Sequence, residues 1–214
     1  MTTTTNVNVK RALIVIDVQN EYFTGNMQIS YPDPQVSLQN IGRAMDVAKA
    51  AGIPVLVVQH SASETSPIFA RGSKTWEIHE VVASRHADHR IEKNMASVFT
   101  GTDVAAWLKK NEINTLSVVG YMTHNCNASS ILEAAHLGYQ VEMLSDATGS
   151  LPYENAAGYA TAEEIHRAFS VVFHSNFAAV VSTDSWVAAV KAGELLSPDN
   201  VYSSHMAGRQ RAAA

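Results

Sequence analysis

The stretch Ala12-Leu-Ile-Val-Ile-Asp-Val18 constrains this chain most, because it is continuously apolar up to Asp17. A strand with one wet face alternates apolar and polar residues. A strand apolar throughout belongs where both faces are covered, as in a parallel sheet flanked by helices. Pro54-Val-Leu-Val-Val-Gln59 reads as a second buried strand, and Thr115–Gly120 and Gln140–Leu144 as further strands. Helix-period segments lie between these runs. Pro34–Ala51 places Val36, Ile41, Met45 and Ala48 at helical spacing and stops at Gly52. Further helices are expected at about Thr102–Asn111, at about Asn125–Leu137 (stopped by Gly138), within Tyr153–Ala168, and at Thr183–Ala192. Val171–Phe173 and Ala178–Val181 read as two more short runs, and order returns after the excursion with the short run Arg90–Lys93. Strands separated by helices imply right-handed crossovers. The expected fold is therefore α/β: a three-layer α/β/α sandwich with a mainly parallel central sheet. Residues 1–214 read as one domain, with about 1–10 and 204–214 as flexible ends. Ser61–Arg90 breaks the pattern and reads as a long excursion over the sheet, a length usually reserved for function.

Charge and length then exclude several partners. A net charge of −5 and a pI of about 6.0 supply no basic face for nucleic acid and no polybasic segment for an anionic membrane. No apolar run approaches the roughly 20 residues that span a bilayer, and MTTTTNVNVK has no apolar signal core. The single cysteine cannot form an internal disulfide, which fits a reducing, cytoplasmic compartment.

That cysteine is also a chemical candidate. In open α/β sheets, ligands bind at the carboxyl ends of the strands. Asp17 closes the first apolar strand, Lys93 ends the Arg90–Lys93 run, and Cys126 follows the strand ending at Gly120, near a helix start. Alone, each has an ordinary explanation: a cap, a solvated lysine, a small buried hydrophobe. Together they supply what thiol chemistry needs. A thiol of pKa about 8.5 is activated by a cation, a helix N-terminus or a base. Lys93 offers the cation and Asp17 the base.

The stretches Leu13-Ile-Val-Ile-Asp17-Val-Gln19-Asn-Glu-Tyr-Phe23, Lys93-Asn-Met-Ala-Ser97-Val-Phe99, Gly120-Tyr-Met-Thr123-His-Asn-Cys126 and Gly138-Tyr-Gln-Val-Glu-Met-Leu-Ser-Asp146-Ala147 closely resemble the isochorismatase-like cysteine hydrolases. The resemblance runs from about Ala12 to Val181. It implies a Rossmann-like strand order and a catalytic triad of Asp17, Lys93 and Cys126. It places a non-proline cis peptide at Tyr121-Met122, which would direct the Met122 and Cys126 N–H groups at one oxyanion site. It also places Phe23 and Tyr121 near the substrate, with His60 and Trp76 available from the excursion. Asp146 is assigned to supporting the sheet end.

Departures from the family pattern narrow the chemistry. Nicotinamidases of this family hold a metal through an Asp-x-His after the second strand, where this chain reads Gln59-His60-Ser61-Ala62, so no metal and no cofactor is expected. His86 and His89, three apart, read as solvated rather than metal-binding. Isochorismatases proper cleave a vinyl ether and lack the cysteine. Its presence argues for C–N hydrolysis through a thioester, on a small amide, lactam or N-carbamoyl substrate. Asn127-Ala128 stands where the family often has an apolar residue, which questions local packing. The resemblance further implies a homo-oligomer, a dimer or tetramer. The rival readings are a non-catalytic ligand-binding or scaffold protein and a thiol redox protein, the latter lacking a resolving cysteine.

Overall fold

A computed structural model describes residues 8–213. Chain order is β1 (Arg11–Ile16), α1 (Glu21–Thr24), α2 (Pro34–Ala50), β2 (Val55–His60), α3 (Glu80–Ala83), β3 (His89–Lys93), α4 (Val104–Lys110), β4 (Thr115–Tyr121), a π-helical turn (Thr123–Asn127), α5 (Ala128–His136), β5 (Gln140–Gly149), β6 (Tyr153–Asn155), β7 (Gly158–Ala160), α6 (Ala162–His174), β8 (Ala179–Val181), α7 (Thr183–Ala192) and α8 (Val201–Ala212). Six strands form one sheet in the order β3-β2-β1-β4-β5-β8, and all its neighbours are parallel.

The apolar runs explain the layering. Leu13 and Val15 of β1 face α2 and α7, packing with Ile41, Met45 and Trp186. Ala12, Ile14 and Ile16 face the opposite layer of α4, α5 and α6, packing with Leu108, Ile131 and Phe173. Both faces of β1 are thus dry, and all six of its residues are buried. Strand order reverses between β1 and β4, since successive strands proceed outward from β1 on one side and from β4 on the other. A crevice opens at such a reversal, beyond the carboxyl ends. Asp17 follows β1 and Cys126 follows β4, so the reversal brings their loops side by side.

A second buried polar network holds the opposite end of the sheet. Arg11, opening β1, donates to Glu142 of β5 through Nη2 at 2.7 Å and Nε at 2.9 Å. Ser117 Oγ and Trp186 Nε1 donate to the same carboxylate at 2.8 and 3.1 Å.

Several local expectations are corrected. The helix expected within Tyr153–Ala168 is α6, which starts at Ala162 and runs on to His174, and the residues before it form the antiparallel β6–β7 hairpin. The start signal is a capping box, with Thr161 and Glu164 bonding each other's backbone N–H. Val171–Phe173 is the last turn of α6, not a strand. Ile165, Phe169 and Phe173 recur at a spacing of four, and only a local excess of β-branched residues suggested otherwise. The excursion is stitched to the end of β1: Asn20 N–H donates to Glu77 O at 2.9 Å, Glu21 N–H to Thr75 O at 2.7 Å and His79 N–H to Val18 O at 2.9 Å. Residues 204–212 continue helix α8, none of whose residues is buried, while residues 1–7 lie outside the described residues. No helix among the described residues is long and apolar enough to cross a membrane.

Candidate active site

Asp17 stands one residue beyond β1 with φ at 50°. Aspartate tolerates this left-handed conformation better than most residues, and it turns the chain out of the strand. Its side chain is fully buried. Lys93 ends β3 two strands away, and its ammonium reaches back to Asp17 Oδ2 at 2.7 Å with neither side chain exposed. Cys126 Sγ lies 3.3 Å from the same nitrogen. His60, the register partner of Lys93 on β2, places Nδ1 at 3.4 Å. An ammonium has three N–H donors, and here a carboxylate, a sulfur and an imidazole nitrogen take one each. Because the ammonium can only donate, His60 Nδ1 accepts and the imidazole proton sits on Nε2.

The turn carrying Cys126 is tied down from several sides. Gly120 ends the straight part of β4 at φ 101°, and a Cβ there would stand 2.0 Å from Ile16 O. Only glycine allows β4 to approach β1 so closely just before Asp17. The Tyr121–Met122 peptide is cis. Asn127, whose packing the sequence left in question, is fully buried and donates through Nδ2 to Gly120 O at 3.0 Å and Thr148 Oγ1 at 2.7 Å. Thr123 Oγ1 bonds Thr148 Oγ1 and His166 Nδ1, each at 3.0 Å. A π-helical turn within a helix start often marks a functional position.

Burial dominates the electrostatics. It pushes the Cys126 thiol up to about 12, aided by the Asp17 carboxylate and only partly opposed by Lys93. The resting sulfur is therefore a thiol. Burial also pulls Lys93 down, but the Asp17 carboxylate and the hydrogen bonds to Asp17 and Cys126 outweigh it, and the ammonium ends above its ordinary value. His60 is lowered, first by burial and then by Lys93, which keeps it neutral. Asp17 Oδ1 is buried without a hydrogen-bond partner among the described residues.

The expected pocket residues fall in different places. His60 and Lys93 line a cavity of about 560 Å³, within the range for small-molecule sites. Phe23 is half-buried, with its ring 4.6 Å from His79 and 5.7 Å from Tyr121. Tyr121 is fully buried and shares a 2.7 Å hydrogen bond with Ser37, so its ring backs Phe23 rather than facing a ligand. Trp76 donates its indole N–H to Ser61 Oγ at 2.7 Å, bracing a cavity residue. Gln19, fully buried, clamps His60 reciprocally: His60 N–H donates to Oε1 and Nε2 donates to His60 O, both at 2.9 Å. Its Nε2 also reaches Trp76 O at 2.7 Å.

Sequence reasoning missed Tyr22, Tyr153 and Glu92. Tyr22 and Tyr153 both have phenols raised first by burial. Tyr153 sits on the β6–β7 hairpin, a short exposed element that no motif marks. Glu92 carries no motif of its own and emerges only through Arg71, which pairs with it at 2.6 Å.

The residues near Gln59 do not fit the metal of the nicotinamidases. Gln59 Nε2 donates to Trp76 O at 2.9 Å, and His60 Nδ1 is occupied by Lys93. His86 and His89 turn to different carboxylates, Asp88 at 3.2 Å and Asp103 at 2.9 Å. Asp146 caps α7, accepting from Thr183 N–H at 2.8 Å.

Known proteins of this architecture carry the same arrangement of sheet and helices. A crystal structure of an isochorismatase-type protein from Burkholderia xenovorans LB400 superposes with a TM-score of 0.95 at 59% identity, covering 97% of this chain and all of that one. The isochorismatase family protein YddQ of Bacillus subtilis is 29% identical over 177 residues, 82% of this chain and 98% of its own. Ureidoacrylate amidohydrolase RutB of Agrobacterium fabrum is 27% identical over 173 residues, 65% of this chain and 76% of its own. N-carbamoylsarcosine amidase of an Arthrobacter species is 27% identical over 146 residues, 60% of this chain and 55% of its own. The isochorismatase domain model matches residues 11–185, and the chain belongs to the isochorismatase family of hydrolases.

Proposed function

We propose that the protein is a cysteine hydrolase that cleaves the C–N bond of a small amide, lactam or N-carbamoyl compound through a thioester. The observation that carries this reading is the meeting of Asp17, Lys93 and Cys126, with the ammonium 2.7 Å from the carboxylate and 3.3 Å from the sulfur. Two amidohydrolases among the relatives, acting on ureidoacrylate and N-carbamoylsarcosine, support it.

The chemistry follows from a resting thiol. Cys126 Sγ attacks the substrate carbonyl as its proton passes to Asp17, whose free Oδ1 can receive it. The C–S bond forms, and the carbonyl π pair becomes an oxyanion held by the Met122 and Cys126 N–H groups. One such donor contributes about 3–4 kcal/mol in acyl-transfer enzymes. Collapse breaks the C–N bond, and the proton on Asp17 goes to the leaving nitrogen. Water then attacks the thioester, giving its proton to Asp17. The C–S bond breaks and the thiol regains that proton. Lys93 keeps its own proton throughout, stabilising whichever anion forms, and His60 holds Lys93 in place. Phe23 and the Trp76-braced loop flank the substrate, with Tyr121 behind Phe23.

The same reading places the protein in a reducing cytoplasm, where a lone thiol stays reduced, and in a homo-oligomer, dimer or tetramer. Exposed Val171, Val172, Val201 and Tyr202 support the latter, which light scattering would measure. The test of activity is ammonia release from amides, lactams and carbamoyl compounds, with Cys126→Ala as control. Wild-type turnover, a covalent acyl adduct by intact mass and a folded, inert Cys126→Ala protein are expected. Undiminished turnover by Cys126→Ala would overturn the mechanism.

A further inference from the structure

The polar cavity beside Lys93 carries a charge pattern that bears on the substrate. Its lining includes His60, Ser61, Arg71, Glu92, Lys93 and Asn94. Both of its cations are already matched from within the chain: Lys93 by Asp17 at 2.7 Å and Arg71 by Glu92 at 2.6 Å. Arg85 and Arg90, the other arginines near in sequence, are turned elsewhere. Arg85 forks onto Asp46 at 2.9 and 3.0 Å, and Arg90 donates to Arg85 O at 3.3 Å. Glu92 is itself braced, since its Oε1 accepts from Ser61 Oγ and that hydroxyl accepts the Trp76 indole N–H.

We propose that Glu92, by occupying Arg71, selects an uncharged polar substrate for this cavity. The inference rests on the hydrolase reading above and names its substrate class: a carboxamide or urea without a free acid group. An arginine that recognises a carboxylate presents an open fork of N–H donors. Here one arm of the fork, Nη2, already meets the Glu92 carboxylate at 2.6 Å, and that carboxylate accepts from Ser61, which Trp76 braces. A substrate acid would have to displace Glu92 and sit near it. Like charges a few ångströms apart in a partly desolvated site cost enough to lower reaction about tenfold or more. The remaining lining suits a neutral amide: His60 is a neutral imidazole with its proton on Nε2, and Asn94 supplies a side-chain amide.

The experiment compares two alkylating reagents of nearly equal size, neutral iodoacetamide and anionic iodoacetate, on the only cysteine of the chain. Modification of Cys126 is followed by intact mass between pH 7 and 10, and the ratio of rate constants is divided by the ratio for glutathione. Hydrolysis is not measured, so a missing amidase activity would sink the reading above without altering this result. In wild type the normalised preference for iodoacetamide should be about tenfold. Glu92→Gln should reduce it several-fold by releasing Arg71, and Arg71→Gln should increase it by leaving Glu92 unpaired. A wild-type ratio equal to that of glutathione, or a ratio unmoved by Glu92→Gln, overturns the proposal. So does a thiol that reacts with neither reagent up to pH 10, because the cavity would then not lead to Cys126.

Discussion

Lys93 Nζ lies 2.7 Å from Asp17 Oδ2, across three strands of the sheet, with both side chains shielded from solvent. Two charges so enclosed stay ionised only because each compensates the other. Removing one leaves its partner buried and unpaired, which typically costs 3–5 kcal/mol. Lys93→Met should therefore destabilise the fold by about that amount in urea denaturation. The double variant Lys93→Met/Asp17→Leu should lose less than Lys93→Met alone. The pH dependence follows from the direction of the lysine shift. Its folded pKa is raised above the unfolded value, so its stabilisation is complete below about pH 10.4. It is lost as pH rises through the folded pKa. A wild-type stability that fell on the acid side of neutrality through Lys93 would contradict this.

Cys126 and Asp17 give opposite responses in two assays. The carboxylate helps hold the thiol up at about 12. Asp17→Asn removes that charge and leaves Lys93 beside the sulfur, so the thiol pKa should fall. Alkylation of Cys126 at pH 8 should then be faster than in wild type, while amide hydrolysis drops by 10²-fold or more for want of a base. Slower alkylation together with lost hydrolysis would mean that the variant had simply disrupted the site.

His60 accepts the third Lys93 proton, and its pKa lies below the ordinary histidine value. Protonation would set an imidazolium against the ammonium and break that contact. Wild-type kcat should carry an acid limb below about pH 6.5, and His60→Asn should weaken that limb. The lost hydrogen bond corresponds to about tenfold in kcat at neutral pH. An unchanged pH profile in His60→Asn would remove His60 from the positioning of Lys93.

Arg11 and Glu142 provide the contrast, being buried at the other end of the sheet. Arg11→Met leaves Glu142 without its bidentate partner and should cost about 3–5 kcal/mol. At a temperature where that variant remains folded, its kcat should equal that of wild type. A reduced kcat in the folded variant would show that the two ends of the sheet are coupled.

Much of this arrangement is legible in local sequence because it depends on local physics. A strand dry on both faces is mostly apolar, so Leu13–Ile16 and Val55–Val58 announce themselves and imply covering helices. Asp17 follows such a run, Lys93 ends the short strand β3 and Cys126 lies in the turn after β4, all where an α/β sheet opens its crevice, and family motifs surround them. Residues 153–174 were harder. The hairpin is two short exposed strands with no core face to impose an alternation, and a β-branched run disguised the end of α6. Beyond the grouping of Asp17, Lys93 and Cys126, the partners of the site residues were not legible. Nothing near Lys93 in the chain says that its third proton meets His60, 33 residues away. Nor does Arg71 disclose that it pairs with Glu92, or Asn127 that its amide N–H groups will reach Gly120 O and Thr148 Oγ1. Strand identity follows from burial, which composition records residue by residue. Which polar group answers which is settled only when distant loops converge at the end of the sheet, because a hydrogen bond depends on a few tenths of an ångström that no one-dimensional pattern carries.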